Sequence, residues 1–274
     1  MISVSHLTAL DAPPEEFIAD AAAAGFEGVG LRIFPPKHAP NQWPVVGDRP
    51  RVAALKRQAD DLGIRIFEAE SFGMAADVRV SALGPALETA AELGASYIVS
   101  GGIDDDEERL VAGYAALGEA AQSFGLGMAI EFMPTRPMRS LADAVRVLRK
   151  VAHPNAKLLI DALHLARSGG APEDVAVLDP RTIAYIHLCD APAERTAPSL
   201  VEESRAGRLY PGEGGLPLHR LMELLPADMS LSLEAPNGLH AALPPRERLR
   251  LAGESTLRFV AAMRTRRREL AATK

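Results

Sequence analysis

A single cysteine, Cys189, stands in a chain of 274 residues, so no internal disulfide framework can form. That usage suits a reducing compartment, and a cytoplasmic location is expected. No apolar run reaches the roughly 18 residues that cross a bilayer, which argues against a membrane protein. The opening Met-Ile-Ser-Val-Ser-His lacks the basic-then-apolar pattern of a secretory leader. Basic excess is missing as well. The net charge is −6, so no nucleic-acid partner is expected, and the cluster Arg264 to Arg268 reads as the solvated end of a last helix. There is no Gly-x-Gly-x-x-Gly and no P-loop to cradle a nucleotide cofactor. A Gly-x-Ser-x-Gly elbow and a Cys/His nucleophile pair are absent too, and Cys189 reads as a packed thiol. No Pro/Gly/Ser-rich linker divides the chain.

What remains is a chain that is 47% hydrophobic, in which short β-branched runs alternate with Ala/Leu-rich amphipathic stretches. That alternation predicts βα units and a parallel sheet. Strands are expected at 2–4, 28–33, 64–68, 96–100, 126–132, 157–161, 183–188 and 229–234. Helices are expected at 14–24, 49–62, 80–93, 107–124, 141–151, 172–178, 216–225 and 245–267. Gly25, Gly63, Gly94 and Gly125 each follow a helix, as a left-handed cap requires. Eight strands and eight helices in one unit of this length predict an α/β fold, a single-domain (β/α)8 TIM barrel over residues 1–274. Two long loops, Pro35 to Asp48 and Ala191 to Pro211, follow strands and would lie on the active-site face.

Four of the later strands end on a metal-capable side chain: Met128-Ala-Ile-Glu131, Leu158-Leu-Ile-Asp161, Ile183-Ala-Tyr-Ile-His187 and Leu231-Ser-Leu-Glu234. A carboxylate at the end of a buried strand must pair, protonate or bind a metal. Taken singly, Glu131 and Glu234 read equally well as salt-bridged carboxylates, Asp161 as a helix cap, and His187 as a core histidine. Taken together they form a hard, oxygen-rich set suited to one divalent ion, Mn²⁺, Mg²⁺ or Co²⁺, with Zn²⁺ also compatible. In Asp161-Ala-Leu-His164 both side chains can face the barrel mouth, one binding metal and the other a ligand. His187-Leu-Cys-Asp190 repeats that arrangement and makes Asp190 a substrate-binding candidate. Arg208 precedes the turn Pro211-Gly212-Glu213-Gly214 and can hold an oxygen or a phosphate.

These residues, in this order, resemble the sugar phosphate isomerase/epimerase superfamily, the xylose isomerase-like TIM barrels. The resemblance spans essentially the whole chain. It implies that Glu131, Asp161, His187 and Glu234 bind one divalent ion and that Glu131 and Glu234 are the acid/base pair. It also implies that His164 and Arg208 bind substrate oxygens. Two departures concern the substrate. The second Glu that ketose 3-epimerases carry after the first is replaced here by Phe-Met-Pro-Thr-Arg136-Pro. The stretch from Asp190 to Gly207 is longer and carries Glu194, Glu202 and Glu203.

The chemistry implied is proton abstraction beside a carbonyl through a metal-stabilised enediolate. The first expectation is an isomerase or epimerase of a sugar or keto-polyol. The alternative is a lyase of the same fold, a keto-inositol or 3-dehydroshikimate type dehydratase or a keto-glycoside eliminase. The lesser alternative is a non-catalytic barrel subunit. The expected partner is a small carbohydrate-like molecule, and because such barrels commonly pair, a homo-oligomer belongs among the expected states.

Overall fold

The computed structural model describes residues 1–34 and 42–272. Eight parallel strands close into a barrel in sequence order: β1 (Ile2–Val4), β2 (Gly28–Arg32), β3 (Arg65–Glu70), β4 (Tyr97–Gly101), β5 (Gly127–Glu131), β6 (Ala156–Asp161), β7 (Ile183–Leu188) and β8 (Leu231–Leu233). Closure comes from β1 beside β8, with Ser3 opposite Ser232 and Val4 opposite Leu233. The expected (β/α)8 barrel is therefore observed.

Ten α-helices are described: α1 (Pro14–Ala23), α2 (Arg49–Leu62), α3 (Gly84–Leu93), α4 (Glu107–Ser123), α5 (Leu141–Val151), α6 (Ala162–Arg167), α7 (Pro172–Ala176), α8 (Leu200–Ala206), α9 (Leu218–Leu224) and α10 (Pro245–Ala272). Helix starts follow capping chemistry. Asp48, Asp106 and Ser140 each accept a backbone N–H of the first turn, and Asp143 returns the bond to Ser140. Gly63 and Gly94 end α2 and α3 at φ of 67° and 81°, left-handed values that penalise a side chain.

Three differences from the sequence reading have local causes. The helix expected over 80–93 splits into a 3₁₀ turn, Val80–Leu83, and α3, because Pro85 belongs in a first helical turn and not in an interior. Helix α8 lies inside the stretch from Ala191 to Pro211 that had been read as one loop, started by Ser199 as its cap. Strand β3 runs on to Glu70, past the Glu68 at which its apolar pattern ends. Of the loop expected over 35–48, residues 35–41 lie outside the described residues. From its remainder, Trp43 Nε1 donates to Leu10 O at 3.0 Å.

The main core packs the helices against the outside of the barrel, as in Val29, Leu31, Ile98, Ile130, Ile160 and Ile186. A second cluster of Phe67, Val99, Ala129, Leu159 and Tyr185 packs separately from it. Ala129, Leu159 and Tyr185 stand two residues before Glu131, Asp161 and His187, so strand alternation carries those three onto the same inward face one layer nearer the C-terminal rim. Among the described residues no helix is long and apolar enough to cross a membrane.

Candidate active site

Each candidate ligand sits where its strand reaches the rim. Glu131, Asp161 and His187 lie at or next to the last residue of β5, β6 and β7, and Glu234 directly follows β8. They converge. One ligand atom from each of Glu131, Asp161, His187 and Glu234 lies within 4.8 Å of all the others, and the four residues are at most 6% exposed. His187 Nδ1 is 3.4 Å from Glu131 Oε1 and 3.6 Å from Glu234 Oε1.

Among the described residues neither His187 Nδ1 nor Glu131 Oε1 has a hydrogen-bond partner, although both atoms are buried. Leaving a buried polar atom unpaired costs about 1–3 kcal/mol. Three carboxylates and one imidazole aimed at a common point, two of their atoms unpartnered, fit a single divalent cation of the oxygen-preferring class.

Charge pairing holds the cluster together. Asp161 Oδ1 accepts the His164 backbone N–H at 2.8 Å as the cap of α6, and its Oδ2 lies 2.6 Å from Arg208 Nη1. Burial works against ionising Asp161, but Arg208, His164 and His187 outweigh it and hold the carboxyl well below its usual range. Glu234 is likewise lowered, since His187 and Arg208 outweigh burial. His187 is shifted the other way. Burial disfavours its charge, yet Glu234 and Glu68 raise it well above the ordinary imidazole value.

Arg208 and Asp190, expected at the substrate, are almost fully buried and bond within the protein. Arg208 is 1% exposed. Its Nη1 also donates to Glu234 O at 3.0 Å, its Nη2 lies 3.0 Å from Glu234 Oε2, and its Nε donates to Ser204 O at 3.1 Å. Its guanidinium faces the ligands from behind. Asp190 accepts three backbone N–H groups, from Ala191 (2.9 Å), Gly212 (3.0 Å) and Leu216 (3.0 Å), and so folds the Pro-Gly-x-Gly turn around itself. A Cβ on Gly214 would meet Asp190 Oδ1 at 2.4 Å, which is why the turn needs glycine there. His164 is 6% exposed beside Asp161. Cys189 is buried, its thiol pushed up to about 12 mainly by burial.

The sequence reading missed two carboxylates of β3. Glu68 is fully buried and accepts hydrogen bonds from the Tyr185 hydroxyl and from Ser232 Oγ (2.7 Å), while His187 Nε2 lies 3.1 Å away. Glu70, 2% exposed, is bonded by Ser5 Oγ at 2.7 Å and by Arg32 Nη2 at 3.2 Å. Ser5 Oγ is also 3.1 Å from Glu234 Oε1. Burial raises Glu70 to about 7 against the pull of Arg32, with Glu68 and Glu234 adding to the rise. The run Phe67-Glu-Ala-Glu70 was the available signal, a strand carrying two acids at i and i+2.

Comparison with known proteins follows this geometry. The family model described as "Xylose isomerase-like TIM barrel" matches residues 18–255. Among solved structures, a xylose isomerase-like TIM barrel/4-hydroxyphenylpyruvate dioxygenase fusion protein is 22% identical with a TM-score of 0.81 over 98% of this chain. This chain spans 44% of that fusion protein's length. The IOLI protein with a binding zinc atom is 16% identical, TM-score 0.79, over 96% of this chain and 98% of its own. The probable 3-DHS dehydratase AsbF of Bacillus anthracis is 17% identical, TM-score 0.75, over 92% and 97%. No curated protein matches.

Proposed function

Because the chain belongs to the xylose isomerase-like TIM barrel family, we propose that it is a divalent-metal-dependent isomerase or epimerase of a sugar or keto-polyol. One observation carries the reading: Glu131 and Glu234 approach the unpartnered His187 Nδ1 from different strands, at 3.4 and 3.6 Å. Two carboxylates that reach one point from two sides are the minimum needed to take a proton from one face of a carbon and return it to another.

In this reading Glu131, Asp161, His187 and Glu234 hold one ion, with Mn²⁺, Mg²⁺ or Co²⁺ favoured by the oxygen-rich set and Zn²⁺ accommodated. When bound, the ion would polarise a substrate carbonyl and offset the charge of the enediolate. One of the two glutamates removes the proton on the carbon beside that carbonyl. The other delivers a proton to the opposite face or to the neighbouring carbon. Arg208 keeps Asp161 and Glu234 ionised and in place, His164 contacts the substrate beside Asp161, and the buried setting excludes bulk water.

The likeness in fold to a probable dehydratase supports a second reading, in which the returned proton goes to a leaving hydroxyl and water is lost. Incubation of the Mn²⁺-loaded protein with keto-sugars and keto-cyclitols in D₂O, followed by NMR, separates the two. Deuterium incorporation with a rearranged or epimerised product supports the isomerase or epimerase. Formation of an enone with loss of water establishes the lyase instead. A protein that binds Mn²⁺ yet exchanges no substrate proton overturns both.

A further inference from the structure

We infer that Glu68 is a positioning residue that fixes the His187 ring with its Nδ1 lone pair toward the ligand cluster and thereby sets the affinity for the ion. The inference deepens the proposed function, because it rests on His187 being a ligand.

Glu68 comes from β3, on the far side of the barrel interior from β7, and its carboxylate sits beneath the imidazole. One oxygen takes the Ser232 hydroxyl at 2.7 Å. The other takes the Tyr185 hydroxyl and faces His187 Nε2 at 3.1 Å. With each oxygen already accepting a hydroxyl, the carboxylate offers the imidazole only acceptor capacity. His187 must then carry a proton on Nε2, and in its neutral form the free lone pair falls on Nδ1. That nitrogen is the one without a partner, 3.4 and 3.6 Å from the Glu131 and Glu234 oxygens.

The supports are built for this contact. Tyr185 and His187 lie two apart on β7, so both turn inward and meet the same carboxylate. Gly30 of β2 leaves the room: a Cβ there would stand 2.5 Å from Glu68 Cγ and from Oε1. Among the described residues no other hydrogen bond or ion pair reaches His187 Nε2. A carboxylate behind a ligating imidazole fixes its tautomer and ring angle and raises its basicity, and losing such a partner lowers metal affinity roughly 10- to 100-fold.

The test compares wild type, Glu68→Gln and Tyr185→Phe by calorimetric titration with Mn²⁺ and Zn²⁺, beside ¹⁵N NMR of the histidine rings in metal-free protein. In wild type, at a pH high enough to leave the ring neutral, the single His187 proton resides on Nε2. In E68Q the amide no longer compels that tautomer, Nδ1–H becomes populated, and Kd rises roughly 10- to 100-fold. Y185F removes a donor from Glu68 but keeps the bond to His187, so its Kd changes far less. E68Q binding within threefold of wild type, or Y185F losing as much as E68Q, overturns the inference. A wild type that binds neither ion overturns instead the assignment of His187 as a ligand. Should E68Q fail to fold, Gly30→Ala, which displaces the same carboxylate sterically, is titrated in its place under the same criteria.

Discussion

Arg208 Nη1 lies 2.6 Å from Asp161 Oδ2 across 47 residues of sequence, both side chains almost completely buried. A buried ion pair gains little over apolar packing, but removing one partner strands the other charge. Arg208→Met leaves Asp161 and Glu234 without their shared cation and is expected to destabilise the metal-free protein by about 3–5 kcal/mol in urea unfolding. Saturating Mn²⁺ recovers part of that loss, whereas an equal loss with and without Mn²⁺ would show that the guanidinium does not serve the ligands.

Glu131→Gln and Glu234→Gln preserve shape while removing a base. Each is expected to lower kcat on the best substrate about 10²- to 10⁴-fold while the variant still binds Mn²⁺ in calorimetry. Full activity in either variant removes that glutamate from the acid/base role.

Glu70 gives the metal-free protein a defined pH dependence. Its carboxyl is raised from the ordinary 4.5 to about 7 by burial, and Glu68 and Glu234 oppose its ionisation further while Arg32 favours it. Between those values the unfolded chain has released a proton that the folded chain keeps. The stability from the protonated form is therefore complete below about pH 4.5 and declines as pH rises through 7. Glu70→Gln cannot ionise, so its stability relative to wild type should rise by on the order of 2–3 kcal/mol between pH 4 and pH 8 in chelator. A pH-independent difference between the two proteins would mean Glu70 is ionised throughout.

Divalent cations should raise the melting temperature and chelators lower it. An ion at about one-hundredfold its Kd adds about 2.7 kcal/mol. Because His187 holds a proton more tightly than a free imidazole, the ion must displace that proton, and its affinity should increase with pH. Calorimetry in buffers of different ionisation enthalpy measures the proton released, and a zero count contradicts the assigned ligand.

Asp190→Ala would leave the N–H groups of Ala191, Gly212 and Leu216 without an acceptor. A loss of about 2–4 kcal/mol is expected, since each unpaired buried donor costs about 1–3 and partial rehydration limits the sum. A decline in Mn²⁺ affinity should accompany it, because the turn gathered by the Asp190 carboxylate adjoins the Asp190–Leu209 bridge that carries Arg208. Unchanged stability would show that the turn holds without the carboxylate.

By itself the sequence determined the barrel and the four side chains that converge at its rim. Alternating short apolar runs and capped amphipathic helices leave few packings, and a strand of alternating faces that ends on an acid places the acid at the rim. Glu131, Asp161, His187 and Glu234 could therefore be read from local pattern. The tertiary structure decided what stands behind them. Arg208 reads locally as a loop cation free to meet a substrate, and only the anti-parallel bridge between Asp190 and Leu209 turns it inward onto Asp161 and Glu234. Glu68 reads as the polar end of an apolar strand. Its place beneath His187 depends on closing the barrel, on the register shift between Val29 and Gly30, and on the space Gly30 leaves. Contacts between residues more than a hundred positions apart, as between Glu68 and His187, exist only once the sheet has closed, and no local pattern encodes them.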